Sequence, residues 1–253
     1  MSRIRKIIAL SEKELAARAM VCLPLDGLHT LDAVRERVEE LSPFVGLFKI
    51  GKESFTRFGP AVVHEIHEGG GGVFLDLKYH DIPNTVRGAA RAATELGVAM
   101  FNVHASGGTA MMAAARQGVE EAAPAVAPKV IAVTVLTSID QDILNEELRV
   151  PGSLEDQVLH LAKRADAAGL DGIVCAATDL HALRGELKDG FLFVTPGIKG
   201  TTTPAGADQK RVLSPGGAVA AGSSLLVVGR AITDASDRRQ AAREVLQDIA
   251  KVI

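Results

Sequence analysis

Residues 98–104 read Val-Ala-Met-Phe-Asn-Val-His, and residues 130–136 read Val-Ile-Ala-Val-Thr-Val-Leu. Between them, residues 108–122 read Gly-Thr-Ala-Met-Met-Ala-Ala-Ala-Arg-Gln-Gly-Val-Glu-Glu-Ala. The two outer runs are short, apolar and rich in β-branched residues, which predicts strands; the middle run has helical periodicity. Neither strand alternates apolar with polar residues, the pattern of parallel strands covered on both faces. The stretch therefore reads as a strand–helix–strand unit of a parallel sheet.

The same unit repeats outward in both directions. Strand-like runs recur at 20–25, 45–50, 73–77, 172–176, 191–195 and 225–228, and helical segments at 30–41, 61–68, 83–96, 153–168, 179–187, 215–221 and 236–252. Ser153 followed by Asp156 predicts an N-cap. Gly97, Gly169 and Gly222 stand where helix C-caps are wanted. Eight strands alternating with eight helices predict an α/β chain closed into a (β/α)8 TIM barrel, with an open doubly wound sheet as the alternative. At 253 residues the chain fits a single barrel domain over 1–253, with residues 1–19 as an N-terminal extension or helix. Residues 197–206, which include Thr201, Thr202 and Thr203, follow the seventh strand and read as a mobile active-site loop.

Apolar residues at 47% and charged residues at 23% exclude disorder. Lys plus Arg number 28 against 31 Asp plus Glu, so there is no basic footprint for nucleic acid and no polybasic membrane anchor. Tyr79 is the one tyrosine and there is no Trp, which argues against base stacking. Arg3, Arg5 and Lys6 precede only a short apolar stretch at 7–10, too short for a signal peptide, and no run is long enough to span a membrane. A cytoplasmic location is expected. Cys22 and Cys175 lie in apolar runs and read as buried thiols, neither a disulfide framework nor a zinc site. His64 and His67, with Glu65 and Glu68, read as a solvated helix face, and Gly69–Gly72 as a turn.

In such a barrel the chemistry sits at the C-terminal strand ends. Those ends carry Asp26, Lys49, Asp76, Lys78 with Asp81, His104, Thr137 with Ser138, Lys199, and Gly229 with Arg230. The densest segment is residues 76–85, Asp-Leu-Lys-Tyr-His-Asp-Ile-Pro-Asn-Thr. Strand alternation puts Asp76 and Lys78 on one face, and Lys49 from the neighbouring strand adds a second ammonium. A lysine held between carboxylates suits decarboxylation. A substrate carboxylate 4 Å from Asp76 meets repulsion of ~4 kcal/mol at an effective dielectric of ~20. Loss of CO2 relieves it, and Lys78 meets the carbanion left behind. His104 is a candidate to support this array from behind.

Asp-Leu-Lys-x-x-Asp-Ile-Pro-Asn-Thr resembles the signature of the orotidine 5′-phosphate decarboxylase family. The resemblance continues in order through Leu25-Asp26, Phe48-Lys49-Ile50-Gly51, Val103-His104-Ala105, residues 133–138, residues 194–198, residues 208–212 and Val228-Gly229-Arg230. It implies decarboxylation of orotidine 5′-phosphate to UMP in pyrimidine biosynthesis, without cofactor or metal, by a homodimer with shared sites. It implies that Lys78 donates a proton to C6 of the pyrimidine, within a charged tetrad of Lys49, Asp76, Lys78 and Asp81. By the same resemblance Asp81 is expected to reach the partner's site, with Ile82 and Thr85. It further implies that Asp26 and Lys49 bind ribose hydroxyls, that Asp76 also borders the substrate, that Thr137 or Ser138 contacts the pyrimidine, and that Gln209, Gly229 and Arg230 hold the phosphate. The chain departs from the family in having Lys199 where Arg is usual after Pro-Gly-Ile, and Pro24 within the first strand. The alternatives are a Mg-dependent decarboxylase of the 3-keto-L-gulonate 6-phosphate type and a non-catalytic nucleotide-binding barrel.

Overall fold

The computed structural model describes residues 10–198 and 213–253. Lys199, Gln209 and most of the 197–206 loop lie outside the described residues, as do residues 1–9. Eight parallel strands close in sequence order: β1 (Val21–Pro24), β2 (Leu47–Gly51), β3 (Gly72–Tyr79), β4 (Met100–His104), β5 (Lys129–Val133), β6 (Gly172–Val174), β7 (Leu192–Thr195) and β8 (Leu225–Val227). β8 returns to β1 through the pairs Val21–Leu226 and Cys22–Val227. The barrel is closed, so the open-sheet alternative falls. No helix among the described residues is long and apolar enough to cross a membrane.

Helices cover the outside. The first four are α1 (Glu12–Ala19), α2 (Leu31–Leu41), α3 (Lys52–Phe58) and α4 (Ala61–Glu68). After β3 come α5 (Pro83–Glu95), α6 (Thr109–Ala122), α7 (Leu154–Ala167) and α8 (Leu180–Leu183). The last three are α9 (Pro215–Ala220), α10 (Arg230–Thr233) and α11 (Arg238–Ala250). α1 starts in a capping box between Ser11 and Glu14. Ser153 caps α7 by accepting from the Asp156 N–H at 3.0 Å, as expected. At the other end, Gly169 takes φ +77°; its N–H donates to Asp166 and that of Leu170 to Ala165, a Schellman closure that turns the chain directly into β6.

The core has two compartments. Outward strand faces pack on the helices. Inside the barrel, Cys22, Phe74, Met100, Ile131, Val194, Leu225 and Val227 form an apolar plug. Phe74, 2% exposed, stabilises by roughly 2–3 kcal/mol through burial alone. This plug is the dry floor on which the polar strand ends stand.

Several boundaries differ from expectation. β5 stops at Val133, and Val135 and Leu136 continue as an apolar cavity wall instead of strand. The helix expected over 179–187 shrinks to α8, because Arg184 is extended and Gly185 takes φ +80°. α3 was not expected; it is short and its Gly51 N-cap offers no side chain. Gly72 belongs to β3 rather than to the turn, and a Cβ there would lie 2.8 Å from Leu47. His64 and His67 are exposed, and both cysteines are buried.

Candidate active site

β2, β3 and β4 bring the charges together. Asp76 is the hub. Its Oδ1 accepts from Lys78 Nζ at 2.5 Å and from Asn102 Nδ2 at 2.7 Å, and its Oδ2 faces Lys49 Nζ at 3.2 Å. Lys49 Nζ also donates to Asp26 Oδ2 at 3.4 Å. The result is a line of alternating charge, Asp26–Lys49–Asp76–Lys78. The Asp76 and Lys49 side chains are only 11% and 12% exposed, so water screens their pair weakly.

The protonation states follow from this geometry. Burial disfavours the Lys49 charge, yet Asp76 and then Asp26 hold its pKa above the ordinary lysine value. Burial likewise disfavours ionised Asp76, but Lys49, Lys78 and Asn102 together hold its pKa below the ordinary carboxylate value. The Lys49 ammonium and the Asp76 carboxylate therefore coexist at neutral pH.

Lys78 owes its place to an irregular strand. Pairing between β3 and β4 passes from Leu75–Phe101 to Tyr79–Val103, so β3 spends more residues than β4 over that interval. Within the bulge Lys78 takes φ +54°, in the left-handed region. That conformation costs a non-glycine residue about 1–2 kcal/mol. The Lys78 N–H, freed from the ladder, donates to Asn102 Oδ1 at 2.8 Å. Simple alternation put Lys78 beside Asp76; a bulge brings it there.

Smaller details fix the other end. Buried Ser54 donates to the Leu25 carbonyl at 2.9 Å, pinning the turn that carries Asp26. Gly51 leaves room for the first ion pair, since a Cβ would lie 3.0 Å from Asp26 Oδ1 and 3.2 Å from Lys49 Nζ. Lys49, Asp76 and Lys78 open into a cavity of about 200 Å³, whose other walls include Phe74, Val133, Val135, Thr137, Val174 and Pro196. Its lining sets three charged side chains against mostly apolar walls. The His104 ring lies 5.5 Å from that of His80, and burial, His80, Lys52 and Lys78 push its pKa down to about 4.

The remaining sequence-derived residues are more open. Ser138 is exposed beside Thr137, and Gly229 and exposed Arg230 follow β8 at the same end of the barrel. Asp81 does not join the line of charges in its own chain; it is exposed, and its Oδ1 accepts the Ile82 N–H at 2.7 Å. Ile82 and Thr85 are exposed with it. Among the described residues no group of three or more His, Cys, Asp or Glu side chains converges as metal ligands. The residue that sequence reasoning missed is Asn102. Its signal was there: a lone amide within the apolar run 98–104.

Residues 19–245 match the family described as "Orotidine 5'-phosphate decarboxylase / HUMPS family". The chain is 47% identical over 242 residues to orotidine 5′-phosphate decarboxylase of Moorella thermoacetica, covering 93% of this chain and 94% of that one. It is 46% identical over 245 residues to that of Syntrophus aciditrophicus, covering 96% of each. Among solved structures, orotidine 5′-phosphate decarboxylase from Lactobacillus acidophilus superposes with a TM-score of 0.80 at 38% identity, covering 90% of this chain and 98% of that one. With barrel and sequence matched over nearly its whole length, the chain belongs to the orotidine 5′-phosphate decarboxylase / HUMPS family.

Proposed function

We propose that the protein decarboxylates orotidine 5′-phosphate to UMP and CO2, in pyrimidine biosynthesis. The observation that carries the reading is the Lys49–Asp76–Lys78 line at the cavity wall. The substrate carboxylate at C6 lies against Asp76, where repulsion of ~4 kcal/mol at 4 Å raises the ground state. The C6–carboxylate bond breaks, CO2 departs, and the electron pair stays on C6. The Lys78 ammonium stabilises that pair and gives it a proton, then regains one from solvent. Asp76 stays ionised throughout, which its lowered pKa supports.

The other roles complete this reading. Asp26 and Lys49 take the ribose hydroxyls, and Thr137 or Ser138 the pyrimidine edge. Gly229 and Arg230, with Gln209 and Lys199, take the phosphate. Asp81, Ile82 and Thr85 serve the site of a second copy in a cytoplasmic homodimer. Five consecutive exposed residues, Asp81 to Thr85, support such an interface, with Ile82 67% exposed.

The test is CO2 release from orotidine 5′-phosphate by the purified protein, with and without EDTA. Turnover unaffected by chelator is expected. No turnover, or turnover lost to EDTA and restored by Mg2+, overturns the reading.

A further inference from the structure

We propose that Asn102 is the positioning residue for the proton donor: one buried side-chain amide sets both the backbone of Lys78 and the carboxylate of Asp76. The inference rests on the decarboxylase reading. Asn102 is 0% exposed, and both ends of its amide are used. Oδ1 accepts the Lys78 N–H at 2.8 Å, and Nδ2 donates to Asp76 Oδ1 at 2.7 Å. Lys78 Nζ returns to that same oxygen, closing a ring from Lys78 through Asn102 and Asp76 back to Lys78. The amide fits in one orientation only. Flipped, it would set NH2 against N–H and a carbonyl against a carboxylate.

The ring answers two needs at once. Lys78 lies in a left-handed bulge, where the regular ladder no longer takes its N–H. Asp76 must hold one rotamer to face Lys78 and Lys49 together. Aspartate has nearly the shape of asparagine but lacks its donor. Asn102→Asp keeps the acceptor for the Lys78 N–H and sets two carboxylates against each other. One proton between them restores a donor. The charged groups near this point include Asp26, Lys49, Asp76 and Lys78, with Lys52, His80 and His104 beyond, while β5 pairs apolar Ile131 with Asn102. Burial and the like charge of Asp76 raise the pKa of the introduced carboxyl.

The experiment measures decarboxylation and UMP inhibition for wild type, Asn102→Leu and Asn102→Asp between pH 6 and 9, with folding checked by circular dichroism. Asn102→Leu should lower kcat about 100-fold or more, the scale of a positioned general acid, while UMP binding changes by less than about threefold. Asn102→Asp should be equally slow at pH 9, and its activity relative to wild type should rise about tenfold or more toward pH 6. The same ratio for Asn102→Leu should stay flat. Should Asn102→Leu not fold, Asn102→Ser, whose one hydroxyl cannot make both bonds at full strength, should show the same kcat loss. A kcat within about threefold of wild type in the folded Leu or Ser variant overturns the positioning role, as does a flat ratio for Asn102→Asp. An inactive wild type overturns the function reading and this inference together; an active wild type with either of those results overturns only the inference.

Discussion

Asp76→Asn keeps the shape of the hub and removes its charge, leaving two ammoniums beside a neutral amide. A unit pair at 3.2 Å, the Lys49–Asp76 separation, is worth about 5 kcal/mol at an effective dielectric of ~20, and the 2.5 Å Lys78 contact nearer 7. Desolvation offsets much of this in the native protein, so removing one partner of the buried network should cost about 3–5 kcal/mol. At about 2–4 °C per kcal/mol for a chain of this size, Tm should fall by about 6–20 °C at pH 7. The loss should also depend on pH. In the wild type the raised Lys49 pKa contributes stability below its unfolded value of about 10.4, and that contribution is lost as pH rises through the folded value. In the variant only Asp26 is left to oppose burial, and the Lys49 pKa should fall below its unfolded value. Its unfolded chain then binds more protons than the folded one, and stability rises with pH up to about 10.4. Melts of both proteins from pH 6 to 10 should show the gap narrowing, and CO2 release should be about 100-fold slower or worse. A Tm within about 2 °C of wild type at pH 7, or a gap independent of pH, refutes the assignment of Asp76 as the shared counter-charge.

Arg230→Ala should lower kcat/KM for orotidine 5′-phosphate about 100-fold or more with little change in Tm, because an exposed guanidinium supports no core; an unchanged kcat/KM moves the phosphate grip elsewhere. Lys78→Ala and Asp81→Ala refolded together should regain about 25% of wild-type activity, since half the dimers mix and each mixed dimer has one intact site; no recovery despite subunit exchange means that Asp81 acts in its own chain. Because His104 is pushed down to about 4 from an unfolded value of about 6.5, the unfolded chain binds the extra proton between those values and stability falls as pH drops from 6.5 to 4. His104→Asn should flatten that limb in thermal melts, and an unchanged acid limb removes His104 as its source.

The barrel was legible because β and α patterns alternate with caps in place. Thr30, Ser153 and Gly169 each mark a boundary that the structure keeps. The misplaced boundaries have physical causes. Val135 and Leu136 read as strand because a cavity wall wants apolar atoms as much as a sheet does. The Lys78 bulge left no mark in the sequence, since nothing in Asp-Leu-Lys-Tyr singles out lysine for a left-handed backbone. Asp76, Lys78 and Lys49 stood out because charge at the end of a buried strand is costly unless used. Asn102 did not, because an uncharged amide within an apolar run is a weaker sign than a charge, although its burial is more complete.

Steady-state CO2 release from orotidine 5′-phosphate by Lys78→Ala, set beside wild type and with folding checked by thermal melt, isolates the proton donor. With Lys78 gone, Asp76 still has Lys49 and Asn102, so the barrel should fold while kcat falls by about 1,000-fold or more. A folded Lys78→Ala enzyme whose kcat stays within about tenfold of wild type would contradict the assignment of Lys78 as the group that meets the carbanion.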